Sequence, residues 1–204
     1  MTRRTAEDRK TEIVAATLRL ADELGPDRLT TQAIADAVGL TQPAIFRHFP
    51  SKHALWQAVA IAITTAMNVA WADVLTNQAD PERRLTGLVQ AQLRHIEASP
   101  AIPAILHSRE LRTENAELRG SFQALMSHFR KLLLAELTRG RDAGLFRADL
   151  APQDAAVLLI SLVQGAAIRW ALGDRAFSLR TEGERLLEVQ MRLFRAEPRQ
   201  QVRS

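Results

Sequence analysis

Cysteine and tyrosine are both absent from the 204 residues. Without cysteine there is no disulfide framework, no thiol nucleophile or redox sensor, and no Cys-based zinc site, which fits a reducing compartment. Catalytic signatures are missing as well: the chain has no glycine-rich phosphate loop, no nucleophile elbow and no paired Glu-x-x-His motif. Glu82, Glu97, Glu114 and Glu117 are spaced among basic residues, as on solvated helix faces. An enzyme is therefore not expected, and neither is a cofactor. His95, His107, Glu110 and His128 are scattered without compact ligand spacing, so no metal is expected. β-branched runs bounded by turn residues are lacking, which argues against a sheet. Met1 to Lys10 is polar and charged with no apolar segment behind it, so no secretory signal is expected and the location should be cytoplasmic. One charge-free run, Ala54 to Ala72, is long enough to cross a membrane. It is alanine-rich and carries Gln57, Thr64, Thr65 and Asn68, so it reads as a soluble helix buried on most of its sides, with no membrane partner.

What is present begins with charge. The net charge of +4 favours a polyanionic partner. The excess is modest, and residues 1–53 hold eight basic against seven acidic side chains. Position, not bulk charge, has to carry any argument for nucleic acid.

Every long segment has helical periodicity, which predicts an all-α protein of about nine helices. Thr5 and Asp8 have capping-box spacing, and an apolar face of Ile13, Ala16, Leu20 and Leu24, with Thr17 at its margin, runs up to Gly25-Pro26. Short helices follow at about 31–38 and 42–49, and a long one starts after Ser51. Further helices are predicted at 81–98, just after Pro100, and at 114–141, 152–172 and 181–195, with Pro81 and Pro152 in first turns where a missing N–H costs little. The domain boundary is placed near Pro50. Residues 1–50 are expected to form an N-terminal three-helix helix-turn-helix domain, and residues 51–204 a larger helical bundle.

The informative stretch is Thr30 to Phe49. Ile34, Val38, Leu40, Ile45 and Phe49 can share a core, Ala35 is small where two helices must cross, and Gly39 can take the positive φ of a sharp turn. In such a unit the second helix enters the DNA major groove, whose width admits one helix. Thr41, Gln42, Pro43, Ala44 and Arg47 would then face base edges, Gln42 suiting adenine, Arg47 guanine or a phosphate, and Pro43 or Ala44 a thymine methyl. Thr31, His48 and Lys52, with Arg3 and Arg4, are placed to hold phosphates.

Residues 5–56 resemble the DNA-binding domain of the TetR family of bacterial regulators. The likeness rests on Ile13 to Gly25, Leu29-Thr30-Thr31, Ile34-Ala35, Ala37-Val38-Gly39-Leu40, Ile45-Phe46, His48-Phe49, Ser51-Lys52 and Leu55. Phe46 stands where that family often has a tyrosine whose hydroxyl meets a phosphate, and Pro43 where it has a small or polar residue. The resemblance implies a homodimer formed through the last two long helices and a small-molecule effector inside the C-terminal domain that alters the spacing of two DNA-reading heads.

The C-terminal sequence supplies candidates for both. Leu158, Leu162, Gly165 and Ala166, with Leu187, Met191 and Phe194, could form a four-helix dimer interface. Trp71, Gln92, His95, Ile96, His107, Glu110, Phe122, Met126 and Phe129 could line an effector pocket, apolar walls with a few polar groups being the usual construction. The function these residues suggest is a repressor that binds a palindromic operator in double-stranded DNA as a dimer and is released by its effector. The alternative is a DNA-organising or cell-division scaffold with the same head and a protein partner on the C-terminal domain.

Overall fold

The computed structural model describes residues 5–109 and 113–196. It begins with the expected capping box: the Asp8 N–H donates to Thr5 Oγ1 at 3.1 Å and the Thr5 N–H to Asp8 Oδ2 at 3.0 Å. That reciprocal pair, worth about 1 kcal/mol, starts α1 (Ala6–Leu24). Ile13, Ala16, Leu20 and Ala21 are buried on one side of α1. Thr17 joins them at the centre of that face and not at its margin, because its hydroxyl donates to the Ile13 carbonyl at 2.8 Å and so enters the core satisfied. Leu24 lies instead outside the apolar face, 38% exposed at the last turn.

A 3-10 turn at Pro26–Arg28 leads to α2 (Thr31–Ala37) and α3 (Gln42–His48). Thr30 caps α2 by accepting from the Ala33 N–H at 3.1 Å. At the other end of α2, the Leu40 N–H reaches the Ala35 carbonyl at 2.9 Å and the Gly39 N–H the Asp36 carbonyl at 3.3 Å. These are the two bonds of a Schellman ending, with Gly39 at φ +65°. The turn aims α3 back across α2, and both pack on α1. Ile34 and Ala35 of α2, Ile45 of α3 and Phe49 just beyond it are buried, while Val38 and Leu40 are half-buried.

Then come α4 (Lys52–Asn77), α5 (Pro81–Ala98), α6 (Ala101–His107), α7 (Ala116–Asp142), α8 (Pro152–Leu172) and α9 (Leu179–Phe194). The described residues thus form nine α-helices, as the periodicity predicts. Pro81 and Pro152 open α5 and α8, and the Ala54 N–H donates to Ser51 Oγ at 3.0 Å ahead of α4.

Contacts group the chain into two compact units, one of residues 1–68 and 98–125, the other of 69–97 and 126–204. This division differs from a boundary at Pro50. In the first unit α6 lies on α1 and on the 3-10 turn, where the Arg109 N–H donates to Asp27 Oδ1 at 2.9 Å. His53 Nε2 also meets the Glu114 carbonyl at 3.1 Å, and Gln57 Nε2 donates to Ser121 Oγ at 3.1 Å. Segments far apart in sequence therefore complete the head.

In the second unit a three-residue connection turns α4 into α5, and the lack of a side chain at Gly87 admits Val74, whose Cγ1 a Cβ there would meet at 2.7 Å. Arg84 fastens the corner by donating to the carbonyls of Gln78 (2.6 Å) and Leu75 (3.1 Å). Its guanidinium also approaches the buried Glu136 carboxylate, which Arg139 holds at 2.7 Å. α8 and α9 pack closely against each other, and the end of α9 is tied to the connection between α7 and α8 by Arg147 N–H to the Phe194 carbonyl (2.9 Å) and Ala196 N–H to the Leu145 carbonyl (3.0 Å). The charge-free run of α4 is less covered than its composition predicts: Ile61, in the first unit, is 55% exposed, and Val69, in the second, 64%.

Gly39→Ala should destabilise the protein by about 1 kcal/mol, since a left-handed backbone crowds an alanine Cβ against the following carbonyl. Gly39→Asn should cost less. Urea midpoints of the three proteins measure the order, and an alanine variant as stable as the parent would contradict the turn assignment.

Candidate nucleic-acid interface

α3 is held to the head by one side only. Ala44 and Ile45 point into the core, Phe49 closes its end, and the opposite side carries Gln42, Pro43, Phe46 and Arg47. Ala44 therefore leaves the base-facing set: at 9% exposure it is a packing residue, one position inside the edge that DNA could reach. Thr41, the N-cap, is exposed and its hydroxyl makes no capping bond. Pro43 is exposed in the first turn, where it removes only an N–H that the helix does not need. Phe46, without a hydroxyl, offers an apolar ring to the outside. Arg47 is exposed and bonds to no other group among the described residues.

Gln42 and Thr31, which the sequence assigns to different tasks, are in contact. Gln42 Nε2 donates to Thr31 Oγ1 at 2.6 Å across the helix crossing. His48 and Lys52 are half-buried at the end of α3 and the start of α4. Arg3 and Arg4 lie outside the described residues. Sequence reasoning overlooked one signal for this surface: no acidic residue occurs between Asp36 and Asp73. Across that acid-free stretch of sequence the helix-turn-helix edge carries Arg47, Lys52 and the histidines His48 and His53.

The proposed pocket residues divide between the two units. His107 and Phe122 belong to the first, and His107 is exposed at the end of α6, so it lines no interior. Glu110 lies outside the described residues. Trp71, Gln92, His95, Ile96, Met126 and Phe129 belong to the second unit. There the Trp71 ring stacks on Phe129 at 4.9 Å and 12°, with the His128 ring tilted at 5.8 Å. Trp71 Nε1, Gln92 Oε1 and His95 Nε2 are buried and bond to no group among the described residues. Gln92 and His95 share one side of α5, one turn apart. Counted from the Val74 and Gly87 contact, at about 1.5 Å per residue, Trp71 and Gln92 lie within about 3 Å of the same level along the paired helices. Burial holds the His95 pKa below its usual 6.5, so the ring is neutral at neutral pH.

An open cleft of about 740 Å³ occurs elsewhere in the second unit, with Asp73, Asn77, Arg83, Gln90 and Arg94 in its wall. None of the sequence-proposed pocket residues lines it. One end is closed by Arg195, which is paired with Glu82 at 2.6 Å and Glu188 at 3.0 Å. No group of three or more metal-type side chains is gathered among the described residues.

The dimer candidates also need correction. Ala166, Leu187, Met191 and Phe194 are buried within the chain itself, Leu187 to 1% exposure, on the inward sides of α8 and α9. Leu158, Leu162 and Gly165 stay on the outside or half-outside, in line with Leu172. Val189 and Leu193 continue an exposed apolar stripe on α9, the latter 61% exposed.

A short helix with a polar, acid-free outer edge, carried on a three-helix head and followed by a helical bundle, defines a helix-turn-helix DNA-binding regulator. Residues 13–59 match the family described as bacterial regulatory proteins, tetR family, and residues 81–193 match the C-terminal region of BetI-type transcriptional repressors. The chain belongs to the tetR family. It is 27% identical over 173 residues to the nucleoid occlusion factor SlmA of Vibrio vulnificus, covering 82% of this chain and 86% of that one. Its fold is similar to that of the ketosteroid transcriptional regulator KstR2 of Mycobacterium tuberculosis, at a TM-score of 0.79 and 21% identity, covering 93% and 96% of the two chains. A transcriptional regulator from Saccharomonospora viridis, solved in complex with choline, matches at a TM-score of 0.79 and 22% identity, covering 94% and 100%.

Two outcomes are expected from this geometry. Leu187→Arg should unfold the second unit, since it buries an unpaired charge, whereas Leu193→Arg should keep its helicity and change only the state of association, as circular dichroism and sedimentation would show. For His95, the unfolded chain binds more protons than the folded one between pH 6.5 and the depressed native pKa, so stability should fall as pH falls through that window. His95→Gln should flatten this part of the melting-temperature profile.

Proposed function

We propose that the protein is a ligand-responsive repressor acting as a cytoplasmic homodimer on a palindromic operator. The observation that carries this reading is the outer edge of α3, where Gln42, Pro43, Phe46 and Arg47 are presented on a short helix anchored from behind by Ala44 and Ile45. Gln42 reads adenine, Arg47 guanine or a phosphate, and Pro43 and Phe46 press on thymine methyls or sugars. Thr31, Thr41, His48 and Lys52 hold the backbone. Two such edges related by a two-fold axis read two half-sites about one helical turn apart. The exposed stripes of Leu158, Leu162, Gly165 and Leu172 on α8 and of Val189 and Leu193 on α9 supply the self-complementary face such an axis needs.

The effector is assigned to the second unit, between α4, α5 and α7. Trp71 Nε1, Gln92 Oε1 and His95 Nε2 offer one donor, one acceptor and one uncharged imidazole nitrogen with no partner among the described residues, each of them costly to leave unmet. All three are neutral, and the buried carboxylate of Glu136 is already paired with arginine. A small, largely apolar molecule with an uncharged hydroxyl, carbonyl or amide head suits them better than the quaternary cation held by the Saccharomonospora viridis protein. Stacking of Trp71 directly on Phe129 leaves no slot between those rings for a cation. Ligand and operator oppose each other by binding different states of the dimer.

The second reading, a DNA-organising scaffold, is favoured by the nucleoid occlusion role named for the Vibrio relative. Selection of sites from random duplex DNA, followed by a salt titration and a thermal-shift screen of neutral small molecules, separates the two. Recovery of a palindrome together with a compound that raises the melting temperature and releases the DNA supports the repressor. A recovered site that no compound releases supports the scaffold. On the selected site, Lys52→Ala should weaken binding alike for all sequences and lower the salt slope by about one. Gln42→Ala should relax preference at one base pair in each half-site, and binding curves for single-base variants of the site measure both.

A further inference from the structure

We infer that Thr31 is a positioning residue for base recognition, fixing the amide of Gln42 and linking it to the DNA backbone. This rests on the reading of Gln42 as a base contact. Gln42 is the first residue of α3 and Thr31 the first of α2, and the helix crossing brings them to a 2.6 Å hydrogen bond that is partly shielded from water. The capping of α2 is done by Thr30, so the Thr31 hydroxyl is not needed to satisfy its own helix. A free glutamine side chain has three rotatable bonds and an amide that can present either end outward. One Nε2 hydrogen given to Thr31 removes that freedom. The second Nε2 hydrogen and Oε1 remain, and these are the donor and acceptor that bidentate pairing with N7 and N6 of adenine requires.

The Thr31 oxygen, having accepted from Gln42, keeps its own hydrogen. That O–H can donate to a phosphate oxygen, so a chain of two hydrogen bonds runs from backbone to base. Seating on the phosphate and orientation of the reading group then become one event, and Thr31 contributes to sequence preference without touching a base. Its two roles separate cleanly by substitution, since valine keeps the shape of threonine and loses the hydroxyl, while serine keeps the hydroxyl.

The test uses the full-length protein and duplexes carrying the selected site with each of the four bases at the position whose preference Gln42→Ala relaxes. Preference is read as a ratio of affinities from one preparation, so any inactive fraction cancels. Thr31→Val should cut that ratio on the order of tenfold, the scale of one bidentate pair, and leave other positions unchanged, and Thr31→Ser should retain it. In a Gln42→Ala background, Thr31→Val should alter no base preference and only lower affinity uniformly. Unchanged preference in Thr31→Val, with a uniform loss of affinity, would overturn the inference while leaving Gln42 as the reader. A Gln42→Ala protein with every preference intact would overturn the base reading and this inference with it.

Discussion

Helices of seven residues are not stable in water alone, because nucleation costs more than so few hydrogen bonds return. Both α2 and α3 are of that length, so the DNA-reading edge exists only through their packing on α1. Ile13, Leu20 and Ala21 supply the floor, Ile34, Ala35 and Ile45 lie on it, and the Schellman ending at Gly39 sets the direction in which α3 departs. The buried side of α3 is fully committed to the core, and Gln42, Pro43, Phe46 and Arg47 lie on its other side, where Gln42 also meets Thr31 of α2.

The same head is also joined to remote sequence. α6 rests on α1 and on the 3-10 turn at Pro26–Arg28, and Asp27 accepts from the backbone of Arg109. Through His53 and Gln57, the first turns of α4 grip the beginning of α7. The cooperative unit around the DNA-binding motif is therefore larger than the motif. A disturbance of α6 is felt by α1 directly, and one at the start of α7 by the first turns of α4.

Much of this was legible in the residues. Thr5 with Asp8, Gly25-Pro26, Gly39, Ser51, Pro81 and Pro152 mark helix ends by mechanisms local to a few residues, and the structure places helix ends at or beside each of them. Less legible was which side of a helix faces inward. α8 is apolar nearly all round, so periodicity could not decide between the side holding Ala166 and the side holding Leu158, and the inner side proved to be the one with Ala166. α9 by contrast has a distinct apolar side, and Leu187, Met191 and Phe194 lie on it, buried within the chain itself. Ala44 was misread because an alanine is compatible with either face of a short helix.

By itself the sequence determined most helix ends to within a few residues, the all-α class and the helix-turn-helix, since caps, breakers and a glycine turn act over a few bonds. Tertiary structure alone decided that α6 and the start of α7 complete the head, that Thr31 and Gln42 meet, and that Trp71, Gln92 and His95 carry buried polar atoms without partners among the described residues. Each of those facts depends on residues brought together from separate helices. Periodicity fixes a stripe along one helix but carries no information about which neighbour covers it, and that choice is made only when the whole core packs.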